Sequence, residues 1–300
     1  LKNSVRFFAA ILLQLLIFVM FCGCSKSPAD SKLKAAAGLP PVAGLAKIIG
    51  GDRVEIISVL PPGRTPHDFT PRTETIRQTS SAKLFFTTGM PFENKIAAFM
   101  QNRSTVSDVS RGIKRIAFHD GGDHDHQHHD GCSHDDHDPH VWLSPQNAII
   151  IAENILADLT RIDPEGKDYY QKNFDLLKER LQQLDKKISE KLAPCTGKTF
   201  FVYHPAFGYF ASAYKLHQRA IELNGREATG PQLAQIIREA KRAGASTIFV
   251  QEQFNPRSAE SLAKQINGVV APLDPLAGDL VENLNKIADK IVEGFKRESK

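Results

Sequence analysis

One run of residues sets the terms on which this chain can fold. Between 163 and 191 the apolar residues Phe174, Leu177, Leu181, Leu184 and Ile188, with Leu192 just beyond, recur at three- and four-residue spacing. That spacing puts them on one face of an amphipathic helix. Asp163 and Pro164 have the chemistry of a helix start, and Pro194 ends the run. About 28 residues at a rise of 1.5 Å make a helix of ~42 Å, as long as a small domain is wide. Placed between two segments of alternating strand and helix character, it is expected to be a rigid connecting rod. One arm of a helical hairpin is the alternative.

Before the rod, 54–60, 84–87 and 115–118 read as strands, Thr70-Pro71 opens a helix and 91–100 forms another. After it, 199–203, 247–250 and 269–271 read as strands, and 230–244, 255–268 and 280–297 as helices. Such alternation implies parallel sheets covered by helices. The expected fold is therefore two α/β lobes with central parallel sheets, joined by one long helix, with a site in the cleft between them. The expected division is a signal peptide (1–23), a tether (24–33), an N-terminal lobe (34–162), the connecting helix (163–193) and a C-terminal lobe (194–300).

The N-terminus indicates the compartment. Lys2 and Arg6 precede an apolar run from Phe7 to Phe21 broken only by Gln14, the pattern of a secretory signal. It falls short of the ~20 apolar residues that span a bilayer comfortably. Cys24 follows Gly23 where the run stops, which resembles a bacterial lipobox, in which the cysteine is acylated and becomes the mature N-terminus. An uncleaved membrane anchor is the alternative, and either reading places the body outside the cytoplasm. Removing Lys2 and Arg6 lowers the formal charge from +4 to +2, too little for a nucleic-acid partner. Cys132 and Cys195 are free to pair in an exported protein, but the sequence does not establish that bond, and Cys132, among histidines, is alternatively a free thiol or a soft metal ligand.

Of eleven histidines, eight lie between His119 and His140. His119, His124, His126, His128, His129, His134 and His137 are interleaved with aspartates and Cys132, and no apolar residue occurs from Asp120 to Gly131. Such a segment cannot build a core. Its imidazole and carboxylate density instead suits several weak, exchangeable transition-metal sites. Four further residues follow expected strands or border ordered structure: His67 in Pro-His-Asp-Phe, His140 in Asp-Pro-His-Val-Trp, His204 in His-Pro-Ala-Phe and Asp274 in Leu-Asp-Pro-Leu. In α/β sheets ligands bind beyond the carboxyl ends of strands. Two candidates fall in each lobe, so facing lobes would gather three imidazoles and one carboxylate, a donor set for tetrahedral zinc, with manganese as the alternative. A secreted zinc hydrolase would use similar ligands, but no His-Glu-x-x-His pair occurs. A metal-buffering adhesin is a further alternative.

At these residues the chain resembles the solute-binding lipoproteins of bacterial zinc and manganese ABC importers (metal-binding cluster A-I). The segments that carry the resemblance are Gly50-Gly51-Asp52, Pro66-His67-Asp68-Phe69, Gly89-Met90-Pro91-Phe92-Glu93, Asp138-Pro139-His140-Val141-Trp142, His204-Pro205-Ala206-Phe207-Gly208-Tyr209 and Leu273-Asp274-Pro275-Leu276. The resemblance implies two lobes joined by one long helix, and metal ligands at His67, His140 and His204. The fourth ligand is implied to be an acidic residue, best matched by Asp274 with Asp279 close by, or a water. A histidine at the third position and a His-rich insert before the second ligand are similar to zinc-type members. The implied protein is a monomeric, non-enzymatic binding protein that serves a membrane permease and its cytoplasmic ATPase.

Overall fold

The computed structural model describes residues 32–100, 104–118, 137–222, 228–254 and 257–298. Cys24, Cys132 and six of the insert histidines (His119, His124, His126, His128, His129 and His134) lie outside the described residues. The N-terminal lobe runs β1 (Leu33–Ala37), α1 (Pro40–Gly50), β2 (Val54–Ser58), α2 (Thr73–Thr79), β3 (Leu84–Thr87), α3 (Pro91–Met100), β4 (Thr105–Asp108) and α4 (Pro145–Ile162). A 3-10 turn at Pro164–Gly166 leads into the long helix α5 (Lys167–Leu192). The C-terminal lobe follows as β5 (Thr199–Val202), α6 (Gly208–Ala213), β6 (His217–Ala220), α7 (Gly230–Arg242), β7 (Thr247–Val250), α8 (Arg257–Gln265), β8 (Val269–Pro272) and α9 (Leu280–Glu298).

Each lobe holds a parallel four-stranded sheet, ordered β2-β1-β3-β4 in the first and β6-β5-β7-β8 in the second. The order reverses between β1 and β3 and again between β5 and β7. At such a switch point the loops leave the carboxyl ends in opposite directions and open a crevice. The central strands are apolar on both faces: β3 and β7 are buried along their whole length. Strand β1 reaches the same burial with Ala35, Ala36 and Ala37. Its alanines carry little strand propensity, so no strand is expected there from sequence, and the expected tether (24–33) overlaps its first residue, Leu33.

Several expectations are corrected. Residues 115–118 do not form the third strand; they contribute one antiparallel bridge, Ala117 to His137. The parallel place beside β3 belongs to Thr105–Asp108, whose polar edge-strand sequence hides it. Helix α2 starts at Thr73 rather than at Thr70-Pro71, because Arg72 is still extended (φ −81°, ψ 160°). Asp163 does not cap the long helix. It closes α4, and its carboxylate accepts from Arg53 Nε (2.9 Å), Arg53 Nη2 (3.0 Å) and Tyr170 Oη (2.5 Å). Helix α4 itself carried a readable start, since Ser144 Oγ accepts from Asn147 N at 3.1 Å and Pro145 takes the first position.

The rod expectation holds. Helix α5 has 26 residues, about 39 Å of length, and buries Tyr170, Phe174, Leu177, Leu181, Leu184, Ile188 and Leu192 on one face. That face packs on α4 and α1 of the first lobe and on α9 of the second. Polar contacts fasten it at both ends: Asn173 Nδ2 donates to Ile49 O (3.0 Å), and Lys191 pairs with Asp289 and donates to Asn285 Oδ1 (3.2 Å). One continuous apolar core therefore runs through both lobes.

The lobes also touch directly. A Cβ built on Gly44, in α1, would stand 1.8 Å from Gly278 O. In an unobstructed helix, Gly→Ala stabilises by roughly 1 kcal/mol. Gly44→Ala is expected to do the opposite and cost ~1–3 kcal/mol through overpacking, measured by urea denaturation. A stabilised variant would contradict this lobe contact.

Candidate metal centre

His67 lies in the loop between β2 and α2, where Thr65 Oγ1 accepts from its backbone N–H (3.3 Å) and the Phe69 ring meets Phe92 of α3 edge-on at 5.3 Å. His140 is placed just after the insert returns, and just before α4. The two ends of the insert are pinned by the Ala117–His137 bridge and by Asp138 N donating to Ile116 O (3.0 Å). His204 leaves the carboxyl end of β5, beside the switch point of the second lobe. The Gln251 side chain clamps its peptide on both sides: Oε1 accepts from His204 N (3.2 Å) and Nε2 donates to His204 O (2.7 Å).

The three ring tips converge. The Nε2 atoms are separated by 3.2 Å (His67–His140), 3.1 Å (His67–His204) and 3.3 Å (His140–His204). Among the described residues this is the one group of metal-ligating side chains near enough to share an ion. A tetrahedral zinc ion with bonds of 2.0–2.1 Å separates its nitrogen donors by about 3.3 Å, so the triangle already has the spacing of one face of that polyhedron.

Carboxylates behind two of the rings set their orientation. His140 Nδ1 donates to Asp138 Oδ1 (2.8 Å), and His204 Nδ1 to Glu222 Oε2 (3.2 Å). A carboxylate only accepts, so Nδ1 carries the proton and Nε2 turns its lone pair to the centre. Asp138 is supported from the opposite lobe: Tyr209 Oη donates to its carbonyl (3.1 Å), and a Cβ on Gly208 would meet its Oδ2 at 2.4 Å. The buried Trp142 ring sits edge-on to His140 (5.6 Å) and donates its Nε1–H to Pro275 O of the second lobe (2.6 Å). The first lobe's own switch point serves no ligand, because Glu93 fills it. Its Oε2 accepts from the N–H groups of Thr88, Gly89 and Met90, while Oε1 lies against Gly38. Burial outweighs those bonds and raises its pKa to about 7.

Asp274 does not join the three histidines. Its Oδ1 accepts from Leu276 N (2.8 Å) and its carbonyl accepts from Asn283 Nδ2 (2.7 Å), so it shapes the turn that presents Pro275. Asp279 likewise accepts from Glu282 N (3.0 Å) at the start of α9. A carboxylate in a turn or at a helix start has backbone N–H donors two or three residues on, and both aspartates use them. The space beside the ring tips is bounded instead by Thr65, Pro66, Trp142, Gln253, Phe254 and Leu276, among others, and has a volume of about 10 Å³. That admits one water-sized particle. Asp138, Glu222, Gln251 and Gln253 stood outside the sequence candidates. Only Asp138 carried a signal, lying two residues before His140.

Residues 36–294 match the family described as ZnuA, zinc-uptake complex component A, periplasmic. The metal ABC transporter substrate-binding lipoprotein SloC of Streptococcus mutans serotype c is 30% identical over 267 residues, covering 85% of this chain and 84% of its own. The manganese ABC transporter substrate-binding lipoprotein PsaA of Streptococcus mitis is 28% identical, covering 93% and 95%. A crystal structure of ZnuA superposes with a TM-score of 0.80 at 28% identity, covering 88% of this chain and 99% of that one.

The electrostatics make a prediction about acid. Desolvation, then the neighbouring His140 and His204 rings, lower the His67 pKa from 6.5 to about 3. Burial also lowers that of His204, against the pull of Glu222. A histidine with a depressed folded pKa binds fewer protons folded than unfolded, so stability falls as pH drops from 6.5 toward the folded value. The neutral, ligating form persists through that window. Two ordinary imidazoles would weaken metal binding ~10²-fold between pH 7.5 and 5.5. Chelator competition should show a smaller loss, and a loss of that size or larger contradicts the assignment.

Proposed function

Because the chain belongs to the family of periplasmic zinc-uptake components A, we propose that it captures a divalent transition metal ion outside the cytoplasm and hands it to the permease of an ABC importer. The ion is zinc in the first reading and manganese in the alternative. The observation that carries the proposal is the triangle of Nε2 atoms at 3.1–3.3 Å, drawn from both lobes. Three nitrogens with no carboxylate among them favour zinc over the harder manganese. The small cavity leaves no room for an organic solute.

Asp138 and Glu222 support binding rather than catalysis. A zinc hydrolase places a general base beside the metal's open position, whereas both carboxylates here engage Nδ1 on the far side of their rings. Together they supply two negative charges to offset a dication. Attachment through a lipid on Cys24 belongs to the same proposal, as does a collecting role for the His-rich insert, which feeds the ion to His140. The function needs a permease and its ATPase as partners and only one copy of this chain.

Calorimetry with zinc tests the assignment. The His67→Ala/His204→Ala double variant should lose affinity by more than the roughly 10–100-fold that outer-shell changes cost. Deleting 120–136, which spares the Ala117–His137 bridge, should remove weak sites and leave the tight one. Tight binding by the double variant, or its loss on deletion, contradicts these roles.

A further inference from the structure

With Asp274 engaged in its own turn, another residue with a side-chain oxygen lines the candidate metal cavity. Gln253 lines that cavity with the three histidines, and its Oε1 is buried with no hydrogen-bond partner in the protein. Buried acceptors are rarely left unpaired, because desolvation is costly. The loop that carries it is held to the ligand it faces. Phe254 stacks on the His204 ring (5.1 Å, 20°), Phe254 N donates to Gln251 O (3.1 Å), and Gln251 clamps the His204 peptide. Gln253 also follows β7, and His204 follows β5, so the two flank the same switch point. The residues on either side of Gln253 in that loop are thus held against His204.

We propose that Gln253 governs the fourth position of the bound metal ion, its carboxamide oxygen accepting a hydrogen bond from a water molecule carried by that ion. The inference rests on the metal-binding reading above. Three imidazoles leave a tetrahedral ion one further position, and a cavity of about 10 Å³ matches one small ligand there. A neutral amide adds no charge to the site. A carboxylate at the same place would favour a harder ion such as manganese. Gln253 is therefore a selectivity residue as well as a water anchor.

The test compares the full chain with its Gln253→Leu and Gln253→Glu variants. Zinc and manganese affinities are measured by chelator competition, and the visible spectrum is recorded with cobalt(II) bound. Gln253→Leu should weaken zinc roughly 10–100-fold and shift the cobalt absorption. Gln253→Glu should retain zinc binding and raise the manganese-to-zinc affinity ratio about tenfold or more. Unchanged zinc affinity with an unchanged cobalt spectrum in Gln253→Leu overturns the proposal. If that variant loses its fold by circular dichroism, Gln253→Glu decides, and a metal ratio equal to the parent's overturns it. A parent chain that binds no zinc overturns the functional reading and this proposal with it.

Discussion

Three imidazole lone pairs held 3.1–3.3 Å apart repel one another, and much of the surrounding structure serves to hold them there for a cation to bridge. Two of the rings are braced from behind: Asp138 holds His140 and Glu222 holds His204 through Nδ1, Gln251 holds the His204 peptide, and Trp142 and Phe254 pack on those same two rings. The braces come from both lobes, so the site is complete only when the lobes meet. Polar bonds of Tyr209 to Asp138 and Ile116, and of Trp142 to Pro275, register one lobe against the other beside the three imidazoles.

The long helix determines how far that meeting can vary. Helix α5 shares its buried face between α1 and α4 on one side and α9 on the other, within one apolar core. A wide hinge opening would expose that core to water, which the hydrophobic effect opposes. Gly44 against Gly278 O leaves no space where those two segments of the lobes meet. The arrangement favours small tilts of the lobes over a wide opening.

The two lobes share a strand order but use it differently. In the second lobe the switch point presents His204 and Gln253. In the first it is closed by Glu93, and the two histidines of the cluster come from the loop after β2 and from the segment before α4. The histidines were legible in the sequence because each sits beside proline after a strand or at the edge of ordered chain. The rod was legible because its apolar spacing runs unbroken for seven turns. Asp274 sits in the structure as a turn residue, its carboxylate bonded to Leu276 N, and the same residue type at a loop beside proline suits a turn or a ligand equally. Strand β1 was hidden by its alanines, and Thr105–Asp108 by its polarity. Gln251 holds His204 through amide geometry alone, which sequence does not display.

X-ray absorption at the zinc edge of the zinc-loaded chain examines the central claim most directly. The account predicts four nitrogen or oxygen neighbours near 2.0 Å, with the outer-shell scattering of three imidazoles. A sulfur neighbour at about 2.3 Å, or fewer than three imidazoles, would contradict it.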